Sequence, residues 1–358
     1  MSVRTVEDLR GMRIGYTPYA QDLAHPADRR RFVHYARSRG IEFVRADPGG
    51  SYDLVLVTAA GDVPGWSRFP RARGRLVFEL IDSYLREPQQ DLRQRVRGVA
   101  KFIARQSTRL ALDYRASLLE LCARADAVIC STPEQRADLL EYNTNVHAIL
   151  DVHTGFTNTV KSDYGASSPF RLVWEGVGYN MFTLGVIAPV LAELRAQHAI
   201  ELHVLSDLEY ATVLRHHLKR SGLALLRRTV PGQRAFLYQW NEAMMPAIAT
   251  ACDVAVIPVP YDVPIAVAKP ENRLLLFWRM GVPAVTTATP AYTRVMTAAG
   301  IDMACTTQQE WYDTLARMIT DEAARRDAGE RGRAWVEAEH AEARTLARWD
   351  AALLSAAG

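Results

Sequence analysis

The chain has 358 residues, of which 49% are hydrophobic and 23% charged, and its formal net charge is +3. This length predicts two domains of roughly 150 residues each, and the composition is that of a globular protein. Because the net charge is small and no basic run is interleaved with aromatic residues, we do not expect nucleic acid to be a partner. No apolar segment is long enough for a signal core or a membrane span, which predicts a cytoplasmic protein.

The N-terminal half of the sequence alternates apolar strand patterns with helical patterns. A short first strand is followed by a polar loop and by a helix that ends near Ser38. A long helical tract is predicted at 91–125. Strands are predicted at 13–17, 41–46, 53–58, 76–81 and 127–130. This alternation is typical of βαβ units.

A turn-rich segment, FTNTVKSDYGASSP, interrupts the alternation from Phe156 onward. The second half then repeats it, with helices predicted from about Phe182 and from about Tyr210. We therefore expect four parts: an N-terminal acceptor domain at 1–155, a linker at 156–168, a C-terminal donor domain at 169–330 and a C-terminal helix at 331–358. A return of that helix to the N-terminal domain is left open.

Two alternating halves predict an α/β fold with two Rossmann-like, doubly wound parallel sheets that face a cleft, followed by a helical tail. Ligands of such sheets bind beyond the carboxyl ends of the strands, where the helices begin. Residues that follow a predicted strand are therefore the first candidates for a site.

Near residue 270 the sequence reads as strand, loop, helix and strand, with Lys269, Asn272 and Arg273 at the start of the helix. Pro270 suits the first helical position. The free backbone N–H groups of that turn, the helix dipole and the two cationic side chains favour binding of a diphosphate. A solvated first turn is the alternative interpretation of such a motif taken alone.

Three segments carry a resemblance to a known family: WRMGVPAVTT at a helix-to-strand turn, ADAVICSTPEQ in the N-terminal half, and the helical tail that starts TLARMITDEAARRDAGERG. They resemble the nucleotide-sugar glycosyltransferases of the two-Rossmann-domain (GT-B) fold, and in particular are similar to glycosyltransferase family 4. The resemblance implies a nucleoside-diphosphate sugar as donor and a glycan, glycolipid or small metabolite as acceptor. It also implies catalysis without a bound metal or other cofactor, and favours retention of the anomeric configuration.

The glutamate pair that is usual in that family would fall at Ala268 and Leu276, so this sequence lacks it. The resemblance therefore gives more of the donor recognition to Lys269, Asn272 and Arg273.

A second donor-binding segment is implied after the first strand of the second half. It contains Glu175, Gly176, Gly178 and Tyr179. Small residues at such a place let the backbone approach a phosphate closely. A plain tight turn is the alternative for this segment.

The acceptor side is assigned to residues of the N-terminal half. Asp82 follows the strand predicted at 76–81, and Asp22 and His25 lie in the loop after the first strand, beside Tyr16. An inverting transfer needs a general base on the acceptor hydroxyl, so Asp82 and His25 are the catalytic candidates. Helix capping or loop anchoring is the alternative role of each residue.

Basic residues recur every four positions in the long helical tract: Arg93, Arg97, Lys101, Arg105 and Arg109. Such a helix face is either solvated or docks on anionic lipid headgroups, which would suit a lipid-linked acceptor and a peripheral position at the inner membrane face. No DxD or HExxH motif occurs, so we expect no metal site.

Two other functions remain open to the same sequence. A nucleotide-sugar epimerase of this fold would need the same diphosphate site together with carboxylates for proton transfer. A non-catalytic GT-B scaffold protein would explain why the glutamate pair is missing.

Overall fold

The computed structural model describes residues 5–86, 114–212 and 215–358, apart from the side chains of 211–218. These residues divide into two compact units. Unit 1 comprises the described residues up to Val152 together with Glu342–Gly358, and unit 2 is His153–Ala341. Residues 156–168, predicted as a linker, lie in unit 2, where the Lys161 Nζ donates to the Cys252 carbonyl at 2.8 Å. The segment predicted as one C-terminal helix, 331–358, contains the end of one helix and a second helix, and only Glu342–Gly358 belongs to unit 1.

The helices and strands of the N-terminal part follow one another closely in the sequence. In chain order they are α1 (Val6–Arg10), β1 (Ile14–Tyr16), α2 (Pro26–Arg29), α3 (Phe32–Arg39), β2 (Phe43–Arg45), β3 (Leu54–Thr58), α4 (Val63–Trp66), β4 (Arg75–Glu79), α5 (Tyr114–Arg124), β5 (Ala127–Cys130), α6 (Pro133–Leu139) and β6 (Val146–Ala148).

The described strands of unit 1 form a six-stranded sheet in the order β2-β1-β3-β4-β5-β6, and every pair in it is parallel. Register is set at β1, where Ile14 lies opposite Phe43 on one side and opposite Leu54 on the other. Because parallel strands need a crossover connection, this arrangement requires the alternation of helices and strands that the sequence predicts.

Both faces of this sheet are buried. Successive side chains of a strand point to opposite faces, so each strand contributes to two cores. Leu54 and Leu56 pack on one face with Trp349 and Leu353 of the C-terminal helix. The intervening residues, Val55 and Val57, pack on the other face against residues of α4 and α5. A sheet that is covered on both sides needs near-continuous apolar strands, and LVLVT in β3 is one of them.

Unit 2 has its own series of elements. In chain order they are β7 (Phe170–Glu175), a 3₁₀ segment (Gly178–Val186), α7 (Ala188–Leu194), β8 (Ile200–Ser206), β9 (Glu209–Thr212), β10 (Arg215–Ser221), α8 (Gly222–Thr229), β11 (Arg234–Gln239), α9 (Met245–Thr250), β12 (Val254–Ile257), α10 (Pro264–Val267), α11 (Asn272–Arg279), β13 (Ala284–Thr287), α12 (Pro290–Ala299), β14 (Ala304–Cys305), α13 (Gln308–Thr320) and α14 (Glu322–Glu339). The C-terminal helix of unit 1 follows as α15 (Glu342–Ala357).

The described strands of unit 2 form a second six-stranded parallel sheet, in the order β11-β8-β7-β12-β13-β14. This is the order 3-2-1-4-5-6 of a dinucleotide-binding domain, counted along the chain without the short hairpin of β9 and β10. The predicted fold class, two Rossmann-like parallel-sheet domains with a helical tail, is confirmed.

Two predicted helices differ from the structure. The helix expected from about Tyr210 is an antiparallel pair, β9 and β10, and helix α8 starts only at Gly222. The start of that helix is marked by Ser221, whose hydroxyl accepts from the Ala224 N–H at 3.3 Å. The helix expected from about Phe182 is a 3₁₀ segment, which begins earlier, at Gly178.

Helix α11 is held against helix α14 by glycine residues. A Cβ at Gly332 would lie 2.6 Å from the indole of Trp278, and one at Gly329 would meet the Gly281 carbonyl. The Trp278 and Trp335 rings meet edge to face at 5.9 Å between centroids. Two helices can approach this closely only where side chains are absent, so the position of α11 is fixed from behind.

Candidate functional site

The sheet order of unit 2 defines where a ligand would bind. Strand β7 connects to β8 on one side, and β12 on its other side continues the chain toward β13. The point between β7 and β12 is therefore the topological switch point, beyond which open α/β sheets bind their ligands. Glu175 ends β7, and the segment after β12 leads to α11.

Arg273 joins these two elements. Its Nη1 donates to the Glu175 carbonyl at 3.1 Å, and its guanidinium carbon lies 5.9 Å from the centroid of a Trp174 ring. Burial raises the pKa of Tyr292 in α12, and the neighbouring Arg273 charge acts in the opposite direction. The structure thus brings Arg273 and Glu175, which the sequence predicted for one site, together at the switch point.

Lys269 and Asn272 lie on either side of the entry to α11. Lys269 is half-buried, and its backbone N–H donates to the Ala266 carbonyl at 3.3 Å. Asn272 is the first residue of α11. Pro270, predicted at the first helical position, lies two residues before the helix, because the short helix α10 occupies part of the connection.

An ion pair that the sequence did not reveal lies at the same helix terminus. Glu271 precedes α11, its side chain is 2% exposed, and its Oε1 accepts from the Nη2 of Arg294 at 3.1 Å. The partner is 23 residues away in α12, so neither periodicity nor a local motif pointed to it. Glu271 is the N-cap residue of α11, so the pair lies at the end of the helix where the dipole favours a negative charge.

The structure also describes Ala268 and Leu276, near which the family resemblance would place a pair of glutamates. Ala268 ends the turn after α10, and Leu276 is 2% exposed within α11. Neither supplies a carboxylate, and Leu276 contributes to the core rather than to the surface of the site.

The glycine segment after β7 packs tightly on the neighbouring strand. The Gly178 N–H donates to Asp207 Oδ2 at 2.8 Å, and the Gly176 carbonyl accepts from the Ser206 hydroxyl at 2.6 Å. A Cβ at Gly178 would lie 2.9 Å from the Cβ of Tyr210. Packing therefore accounts for a glycine here without a ligand, and Asp207 and Ser206 are neighbours of the site that the sequence did not identify. Tyr179, in contrast, is 46% exposed.

In unit 1, Tyr16 lies inside the core. It is 1% exposed, and its hydroxyl donates to Asp28 Oδ1 at 2.6 Å. Asp28 also accepts from the backbone N–H groups of Tyr19 and Ala20, both at 2.9 Å. The predicted acceptor-side residue Tyr16 therefore uses its hydroxyl to anchor the loop that follows β1.

His25 and Asp22 shape that same loop. His25 is the N-cap of α2, with its Nδ1 accepting from the Ala27 N–H at 3.1 Å and its ring stacked on Tyr19 at 5.3 Å between centroids. Burial lowers the pKa of His25. Since Nδ1 is the acceptor, the neutral ring carries its proton on Nε2 and has no second lone pair to act as a base. Asp22 accepts from the Ala24 N–H at 3.0 Å in a local turn.

Asp82 lies in the segment after β4. The strand ends at Glu79, earlier than the sequence predicts, so Asp82 follows three residues beyond its end. Its backbone carbonyl accepts from Gln135 Nε2 at 3.3 Å and from the Tyr84 N–H at 2.9 Å. Asp82 is half-buried at the carboxyl edge of the sheet. Because the other catalytic candidate, His25, uses its Nδ1 lone pair to cap α2, Asp82 is the better placed of the two.

A buried ion pair lies at the end of β4 itself. The Nε of Arg31 donates to Glu79 Oε1 at 2.7 Å, and both side chains are 0% exposed. The Arg31 Nη1 also donates to Asp151 Oδ1 at 3.0 Å and to the Ile149 carbonyl at 2.9 Å. Although burial acts in the opposite direction, the carboxylates of Glu79 and Asp151 raise the pKa of Arg31, which stays charged.

Within 5–86, 114–212 and 215–358, no cluster of His, Cys, Asp and Glu is suited to hold a metal ion. None of the helices in these ranges combines the length and the apolar character needed to span a membrane. The basic residues from Arg93 to Arg109, for which a solvated helix face and docking on lipid headgroups are the two interpretations, lie outside the described residues.

Two Rossmann-like units with these strand orders define the class of fold: the chain has the GT-B fold. The fold prediction that followed from the family resemblance is thereby confirmed. No protein-family model matches the sequence, and no curated protein sequence matches it.

Particular solved structures share this fold. Anabaena HepE in complex with UDP is similar at a TM-score of 0.65 and 13% identity, over 96% of this chain and 100% of that chain. Sucrose-phosphate synthase from Thermosynechococcus elongatus is similar at 0.57 and 12%, over 89% and 74%. TarM is similar at 0.58 and 9%, and the chain spans about half the length of TarM, with 84% and 54% covered. At such identities the likeness defines the fold alone.

Proposed function

We propose that the protein is a glycosyltransferase that moves a sugar from a nucleoside-diphosphate sugar to a hydroxyl of a glycan, glycolipid or small metabolite. One observation carries the proposal: Arg273 stands at the switch point between β7 and β12, bound to the end of β7 and at the first turn of α11. A cation, a helix N-terminus and a strand end converge there, which suits a diphosphate. Anabaena HepE, which has the same fold, was solved with UDP and with UDP-glucose.

In the proposed reaction, Arg273 and Lys269 neutralise the diphosphate as the bond between it and the sugar C1 breaks. The N–H groups near Asn272 add to this stabilisation, so the departing nucleotide needs no bound metal or other cofactor. Glu175, Gly176, Gly178 and Tyr179 would border the donor, with the exposed Tyr179 ring available to a flat group.

The acceptor oxygen forms the new bond to C1 and loses its proton. If the configuration inverts, Asp82 is the proposed proton acceptor, because His25 uses its Nδ1 lone pair within α2. If the configuration is retained, which is the outcome that the family resemblance favours, an oxygen of the departing diphosphate can take the acceptor proton, so a separate enzyme base is not needed. An acceptor linked to lipid would bring the protein to an anionic membrane surface.

Binding of nucleoside diphosphates tests the donor site. We expect calorimetry with UDP, GDP, ADP, CDP and dTDP, in the presence of a chelator, to find one nucleotide that binds. Replacing Lys269 by Ala should weaken that binding by about 1–3 kcal/mol, because a charge-assisted contact is lost. Arg273→Lys should also weaken it, since an ammonium lacks the planar fork. Arg227→Ala, an exposed cation on α8 of the same unit, is the matched control and should leave binding unchanged.

A non-catalytic scaffold is the second candidate, and the absence of carboxylates at Ala268 and Leu276 favours it. Failure of every nucleotide to bind would support the scaffold and reject the enzyme. Binding that is equally strong in Lys269→Ala would exclude Lys269 from the site. An epimerase is distinguished by incubation with the donor alone, since only an epimerase converts the sugar without an acceptor.

A further inference from the structure

A groove of about 1070 Å³ opens at the amino edge of the unit 1 sheet, where β1, β3 and β4 begin. Its lining includes Arg13, Arg71, Arg73 and Arg75, and we call it the arginine groove. The strands of this sheet are parallel, so their carboxyl ends, where Asp82 and the loop of His25 lie, are at the opposite edge. The arginine groove is therefore separate from the candidate acceptor residues of unit 1.

One side of the groove carries more positive than negative charge. Arg71, Arg75 and Arg124 all approach the carboxylate of Asp126, at 2.6, 3.2 and 3.4 Å. That carboxylate also accepts from the Leu76 N–H at 2.8 Å. Although burial acts in the opposite direction, this hydrogen bond and the arginines lower the pKa of Asp126. Arg124 and Asp126 are not part of the lining, which itself also contains the carboxylates of Glu7, Asp8 and Asp53. Glu7 is paired with Arg10 at 2.7 Å. Six arginines (Arg10, Arg13, Arg71, Arg73, Arg75 and Arg124) therefore stand against four carboxylates (Glu7, Asp8, Asp53 and Asp126), and a net positive charge remains.

The other side of the groove is positive for a different reason. The Arg13 guanidinium lies over the Tyr52 ring at 5.5 Å, and that of Arg73 donates to the Gly49 carbonyl at 3.3 Å. Within the described residues, neither guanidinium has a carboxylate at ion-pair distance. The Asp53 carboxylate, which also lines the groove, accepts from the Arg13 backbone N–H at 2.7 Å and offsets part of the positive charge of this side.

The turn that carries these arginines is rigid. Gly74 has a φ of 145°, which favours glycine, and a Cβ there would meet the Tyr52 carbonyl. Arg73 and Arg75 are thus held on either side of a fixed point, with Arg71 in the preceding 3₁₀ turn, Arg71–Arg73. Preformed arginine forks match the oxygens of a phosphate better than flexible ammonium groups do.

We propose that the arginine groove binds phosphate groups. Its volume and its two separate basic sides fit a ligand with more than one phosphate, either a free polyphosphate-type anion or the headgroups of an anionic lipid surface. The proposal does not rest on sugar transfer, and it concerns an edge of unit 1 for which the proposed function has no role.

Binding of two probes tests the groove in the full chain. Inorganic pyrophosphate, followed by calorimetry, represents the free anion. Vesicles of phosphatidylcholine with about a third phosphatidic acid, followed by co-sedimentation, represent the lipid source. The variant Arg13→Ala/Arg73→Ala removes the two guanidinium groups without carboxylate partners, and Arg37→Ala removes an exposed cation on α3 as the matched control.

We expect at least one probe to bind, and its binding to fall about tenfold or more in Arg13→Ala/Arg73→Ala but not in Arg37→Ala. Loss with pyrophosphate assigns the groove to a free anion, and loss with vesicles alone assigns it to lipid headgroups. The proposal is overturned if neither probe binds, if binding survives in Arg13→Ala/Arg73→Ala, or if Arg37→Ala weakens it equally. Circular dichroism and thermal unfolding check that each variant is folded.

Discussion

The buried pair of Arg31 and Glu79 gives the sharpest prediction about stability. Replacing Glu79 by Ala leaves a guanidinium inside unit 1 without its closest partner, at a place where both side chains are 0% exposed. Loss of one partner of a buried ion pair costs about 3–5 kcal/mol. Arg31 keeps its contacts with Asp151 and the Ile149 carbonyl, so we expect the lower end of that range, about 3 kcal/mol.

Two further variants separate the charge from the packing. Glu79→Gln removes the charge but keeps the volume and an acceptor oxygen for the Arg31 Nε, so it should cost less than Glu79→Ala. Glu322→Ala breaks an exposed pair with Arg326, in which the side chains are 44% and 54% exposed, and should cost less than about 1 kcal/mol.

Urea unfolding followed by circular dichroism measures these changes in the free energy of unfolding. Because the two units can unfold separately, the comparison uses the transition that Glu79→Ala displaces. If Glu79→Ala costs no more than Glu322→Ala, the pair is not buried in solution and the reasoning fails. If Glu79→Gln is as unstable as Glu79→Ala, the lost charge rather than the lost packing explains the effect.

Two other predictions follow from packing and from titration. Gly332→Ala should destabilise unit 2 by about 1–3 kcal/mol in urea unfolding, because the added Cβ would press on Trp278. The control Gly185→Ala, whose Cβ would make only one ordinary contact, should change the free energy of unfolding little. Equal effects of the two changes would contradict the close approach of α11 and α14. Burial lowers the pKa of His203 from its ordinary 6.5, so the stability it contributes is complete above that pH and is lost as the pH falls below it. In His203→Gln, which can still contact Tyr238, the decrease in the free energy of unfolding from about pH 7.5 to about pH 5.5 should be smaller; an unchanged decrease would show that His203 titrates normally.

The sequence predicts the fold well because a parallel sheet leaves a strong local record. Apolar runs such as LVLVT are short, bounded by turns and separated by helical patterns, and each became a strand in the expected order. The helix predicted from about Tyr210 was wrong, because the structure forms the hairpin of β9 and β10 there. The segment from Tyr210 has no clear hydrophobic period that would indicate either structure. The N-cap Ser221 is the local signal for where that helix starts.

The candidate site was predicted in part. The sequence could place Arg273 and Glu175 in one site because Glu175 ends a strand and Arg273 lies in the first turn of a helix. Parallel strands bring such positions to the same edge of the sheet, where the two residues are in contact. Glu79 was overlooked since it completes an apolar run and its partner lies 48 positions earlier. Asp207 was missed because its contact with Gly178 depends on how two neighbouring strands end, which spacing along the chain does not record.

The return of α15 to unit 1 has a consequence for the synthesis of the chain. Trp349, Ala352 and Leu353 are fully buried in the core of unit 1, yet in the sequence they follow the whole of unit 2. The strands of unit 1 leave the ribosome first, but one face of their sheet is covered only in part, by residues such as Phe32 and Tyr35 of α3, until those of α15 have been made. Unit 2 is continuous from His153 to Ala341 and has no such delay. The unit that is begun first is therefore the one that can be completed last, and its partly open face must avoid aggregation in the meantime.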